Sequence, residues 1–101
     1  MIHVINLIVL KGEIIRMNKL YYYISRAREA TAGSNIQDKE TLLKYAKEAL
    51  QYAVFIGADI AIQNKLIEVY ELIINIKEYG DRLKPDSILC DILNEMLKNE
   101  M

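Results

Sequence analysis

Seven tyrosines, fourteen carboxylates, one histidine and one cysteine are the side chains from which this 101-residue chain would have to build chemistry. His3 has no cysteine or second histidine at metal-ligand spacing, so a structural zinc site lacks its ligand set within one chain. A single histidine beside the start of the chain also makes a Ser–His–Asp triad unexpected. Glu68, Glu71 and Glu78 share a helix face with Asn75, but helical di-metal sites want Glu-x-x-His, which does not occur here. A solvated face accounts for those carboxylates. Neither a glycine-rich phosphate loop nor a nucleophile elbow is present. The expectation is a protein that is not an enzyme and takes no cofactor and no metal.

The most unusual local feature is Tyr21-Tyr22-Tyr23. Consecutive helical residues diverge by about 100°, so three in a row cannot share one core-facing side. Tyr21 is expected inward, with Tyr22 and Tyr23 at the flank or surface. Together with Lys19, Arg26 and Arg28 they form the candidate binding surface. Tyrosines with basic neighbours suit a protein interface, where rings bury area and hydroxyls stay hydrogen-bonded. They also suit unpaired bases and phosphates. The net charge is −1, with five basic and two acidic side chains over residues 1–32 (+3) and −4 over residues 33–101. That acidic remainder argues against an extended polyanion surface.

Four helical segments would carry these residues. Residues 1–16 read differently: Ile2 to Leu10 is apolar and free of charge, and Lys11-Gly12-Glu13 could turn into Ile14-Ile15. This segment is expected to be extended or a short β-hairpin. It is too short for a membrane span, which needs about 20 apolar residues. A further expectation makes residues 1–16 a mis-annotated leader with translation starting at Met17, which an intact mass including Met1 to Arg16 would refute. From Met17 the period is helical, with Leu20, Tyr21, Ile24, Ala27 and Thr31 on one stripe and Gly33 as the stop. Ser34 to Gln37 has capping-box spacing, and Asp38 is an alternative cap. The second helix carries Leu42, Leu43, Ala46, Ala49, Leu50, Ala53 and Ile56 on one face.

Gly57-Ala58-Asp59 stops that helix and caps the next. The third helix is expected from Asp59 to Tyr79. Its apolar residues, from Ile62 through Leu66, Ile67, Val69, Tyr70, Leu72, Ile73 and Ile74 to Ile76, fill an arc of about 220°. So wide an arc needs at least two neighbours. After a connector and Pro85, Ile88, Leu89, Ile92, Leu93, Met96 and Leu97 mark the last helix.

The stretch Ala46-x-x-x-Leu50-x-x-Ala53, followed by Ile56-Gly57-Ala58-Asp59, resembles the second helix of a tetratricopeptide repeat. That resemblance implies nested helices and a concave groove for a peptide or helix. It covers one helix and its exit turn of a ~34-residue repeat, and Ala58 stands where the family usually has proline. No functional residue carries over.

The chain is thus expected to be all-α, a small antiparallel bundle of about four helices over residues 17–101, preceded by the segment 1–16. A chain this small buries only about 60–65% of its unfolded surface, and dimerisation would compensate. The expected function is a non-enzymatic protein–protein interaction or assembly module, self-associating as a homo-oligomer (dimer) or binding another protein. The alternative is a small nucleic-acid-binding regulator using Lys19, Tyr22, Tyr23, Arg26 and Arg28. Cys90 has no partner for an intramolecular disulfide, which fits a reducing, cytoplasmic setting. Heavy use of Ile, Lys, Asn and Tyr with one proline resembles chains from AT-rich genomes, such as those of thermophilic archaea or their viruses.

Overall fold

The computed structural model describes the backbone of residues 2–32 and 39–100, with side chains described over 14–32 and 39–98. These residues form α1 (Ile2–Ala32), α2 (Lys39–Phe55), α3 (Ile60–Ile74), a 3₁₀ turn (Tyr79–Arg82) and α4 (Leu83–Glu100), and no strand occurs among them. Each helix packs on the next, and α4 returns to α1. No described helix is long and apolar enough to cross a membrane.

The core follows the apolar stripes. Leu20, Ile24 and Ala27 come from α1, Leu42, Ala46, Ala49 and Ala53 from α2, Ile62, Leu66, Val69 and Ile73 from α3, and Leu89, Ile92 and Met96 from α4. The alanine row of α2 lets its neighbours approach closely. Thr31 lies in the same interior and is satisfied because its hydroxyl donates to the Ala27 carbonyl at 2.7 Å. Gly57, with φ +65°, takes the left-handed turn between α2 and α3. Asp59 then caps α3, its carboxylate accepting from the Ala61 amide at 3.2 Å. The proposed Gly33 stop and the caps at Ser34 and Asp38 lie outside the described residues.

The N-terminal segment expected to be extended or a hairpin is instead the first half of α1. Valine and isoleucine favour strands only where a partner strand and a packed face exist, and residues 2–16 have no strand beside them. A helix satisfies its backbone within one segment. Gly12 weakens a helix by about 1 kcal/mol but does not end it.

α3 is also shorter than expected, ending at Ile74 rather than Tyr79. The Asn75 amide group donates to the Glu71 carbonyl at 3.0 Å and competes with continuation of the helix. Asp81 then accepts from the amides of Lys77 and Glu78 at 2.9 and 3.0 Å, which turns the chain into the 3₁₀ segment. α4 begins at Leu83, with Pro85 in its first turn, where the missing N–H costs nothing.

The 31 residues of α1 make it about 46 Å long, against about 27 Å for the 18-residue α4. Arg16 and Met17 border the turn at Ile56 to Asp59. The helix therefore runs on past the end of α2, and Ile14 and Ile15, just beyond that level, are 58% and 66% exposed.

Candidate interaction site

An aromatic and cationic ladder joins α1 to α2. On α1, Lys19, Tyr22, Tyr23 and Arg26 lie three or four residues apart and share one side. Tyr45, Glu48, Tyr52 and Phe55 do the same on α2. The rings run Tyr22, Tyr23, Tyr52, Phe55, with centroids 5.9, 5.2 and 6.3 Å apart and all tilted. Such offsets avoid the repulsion between facing π clouds. The two ends of the run, Tyr22 and Phe55, are exposed, while Tyr23 and Tyr52 are half-buried.

Cations fill the faces of these rings. The Lys19 ammonium sits 5.3 Å from the Tyr52 centroid and 6.0 Å from that of Tyr23. The Arg26 guanidinium lies 4.4 Å over Tyr45 and 5.7 Å from Tyr22, and 3.7 Å from the Glu48 carboxylate. A hydrogen bond to Tyr45 raises Arg26 above its ordinary value, desolvation opposes this, and Tyr22 and Glu48 add to the rise. Arg26 is thus a permanent positive charge held in one orientation.

Arg28 does not join the ladder. Two residues on, it points about 200° away from Arg26. Its guanidinium meets Asp86 of α4 at 3.3 Å. The Cys90 sulfur and then Asp86 raise its pKa, with desolvation opposing. Of the five residues expected to form one surface, Lys19, Tyr22, Tyr23 and Arg26 come together and Arg28 stays apart. Tyr45, Tyr52 and Phe55 were not anticipated. Their signal is the seven-residue spacing of Tyr45 and Tyr52, with Glu48 between them, on the flank of the alanine face.

No family model, curated protein or solved structure matches this chain. The likeness to a tetratricopeptide repeat stays confined to α2 and its exit turn, and α4 packing on α1 differs from the open succession of helix pairs in such arrays. What the ladder can do follows from its geometry alone. It offers ring edges, a fixed guanidinium and an ammonium, groups that suit contact with a partner surface.

Proposed function

We propose that the chain is a non-enzymatic interaction module, an antiparallel helical bundle that assembles with copies of itself inside the cell. The observation that carries this reading is the length of α1. Its backbone continues past the turn between α2 and α3, its sequence there is apolar, and Ile14 and Ile15 are exposed. A helical stretch of about fourteen residues is marginal in water by itself. Adjacent exposed isoleucines such as Ile14 and Ile15 suit an interaction surface. An antiparallel arrangement is supported by opposed numbering across the helix pairs. Tyr23 meets Tyr52 while Arg26 meets Tyr45, and Arg28 meets Asp86 while Thr31 lies beside Leu83.

Light scattering over a concentration series tests the proposal. The expected result is a mass above the 11.7 kDa of one chain, returning toward it in an Ile14→Glu, Ile15→Glu double variant. A strict monomer at high concentration sinks it.

The exposed ring of Tyr22 beside Lys19 and Arg26 favours a second reading, a nucleic-acid-binding regulator. Glu48 on Arg26 and Asp86 on Arg28 work against it by occupying two of its cations. Titration with single- and double-stranded oligonucleotides decides it, since phosphate contacts must weaken with salt. No salt-dependent binding at low ionic strength removes this reading.

A further inference from the structure

Three isoleucines of α3 keep seven-residue spacing and stay out of the core: Ile60, Ile67 and Ile74 are 68%, 42% and 44% exposed. They form a stripe drifting about 20° per heptad, turned about 130° from the buried row of Ile62, Leu66, Val69 and Ile73. The two flanks of the stripe differ in charge. Toward α4, the side marked by the Lys65–Glu95 pair at 3.0 Å, Glu68 and Glu71 are exposed. Toward α2, Tyr70 borders a groove of about 510 Å³ lined by Glu40, Lys44, Lys47, Glu48 and Gln51, of which Glu48 already faces Arg26 at 3.7 Å. No described ion pair engages Glu68, Glu71, Lys44 or Lys47.

We propose that α3 is a dimer seam, on which a second copy of this chain lies parallel with each isoleucine against its own counterpart. The inference rests on the self-association proposed above and adds a second surface to that of α1, so the Ile14→Glu, Ile15→Glu variant should fall only as far as a dimer. Charge selects both the occupant and its direction. A two-fold axis along α3 brings the acidic flank of one copy opposite the α2 flank of the other, without changing height along the helix. Tyr70 fixes the height of Lys44 and Lys47 near that of Glu68 and Glu71. Glu68 and Glu71 of each copy therefore come opposite Lys44 and Lys47 of the other on both sides of the seam. An axis across the helix would set the acidic flanks against each other, which costs energy. β-Branched residues repeating every seven positions also suit two parallel strands. The face made by α2 and α3 is about 25 Å by about 20 Å, at the small end of specific interfaces.

Disulfide trapping in a Cys90→Ser background tests the seam. Ile60→Cys, Ile67→Cys and Ile74→Cys should each link to itself under mild oxidation, since only close Cα pairs can bridge. If Ile67→Cys links alone while Ile60→Cys and Ile74→Cys link only when mixed, the pair is antiparallel and the proposal falls. If none links although the unmodified chain is dimeric by light scattering, the seam is wrong and self-association stands. A monomeric chain overturns both. A charge exchange supplies an independent reading. Glu71→Lys and Lys47→Glu should each weaken the dimer up to about tenfold, and the double exchange should restore it. Failure of that restoration also counts against the seam.

Discussion

Arg26 and Arg28 are separated by one residue and serve different neighbours, the first an aromatic face on α2, the second a carboxylate on α4. Helical phase alone decides this, and identity of charge says nothing about it. Asp81 shows how one carboxylate can set a chain path. Its acceptance of the Lys77 and Glu78 amides holds its pKa below the usual carboxylate value, with desolvation opposing. The turn's support is therefore fully present above the ordinary carboxylate range and is lost as pH falls through the depressed folded value. Thermal midpoints of the parent chain should drop more steeply below about pH 4 than those of Asp81→Asn, whose midpoint is already lower at neutral pH. Equal acid slopes in the two proteins would remove Asp81 from the account.

At the scale of the element, α1 runs through a residue of poor helix propensity. Gly12 lies within a helix, and an added Cβ there meets nothing within 4 Å. Gly12→Ala should therefore raise helix content and stabilise the chain by about 0.5–1 kcal/mol in urea or thermal unfolding. A loss of stability would mean that residue 12 needs a backbone conformation other than helical. The stripes from Leu20 to Thr31, Leu42 to Ala53 and Leu89 to Met96 were legible because a 3.6-residue period repeats with polar residues between. Two boundaries were not. The apolar run Ile2 to Leu10 has no clear period, so propensity pointed to strand, and nothing local reveals that a helix follows without a break. The end of α3 depends on Asn75 and on Asp81 six residues later, a pairing that shows only once the chain has turned. The ladder was half legible for a related reason. Periodicity places Tyr22 and Tyr23 on α1, but their contact with Tyr52 depends on how two helices dock.

At the scale of the whole molecule, the described residues form a ring of four helices around one small interior. Leu66, fully buried among the other helices, is a sensitive test of it. Leu66→Ala should cost about 2–5 kcal/mol by denaturant unfolding, whereas Ile67→Ala, one residue on and partly exposed, should cost far less in the monomer. Similar losses at both positions in dilute solution would mean that Ile67 is already covered within one chain. If the chain assembles as proposed, its unfolding midpoint should rise with protein concentration. A midpoint constant over a hundredfold range would argue for a chain that is complete by itself.

The unbroken passage of α1 from Ile2 into the core fixes a phase as well as a length. Each residue added to a helix turns everything before it by about 100° and moves it by about 1.5 Å. One alanine inserted between Glu13 and Met17 would rotate the leading segment to a different side of the bundle while leaving its composition unchanged. Seven would return it nearly to its starting angle but displace it by about 10 Å. Any partner that reads both the leading segment and the bundle would have to sense that angle, so on the proposed reading the helix is a shaft that indexes one surface against another.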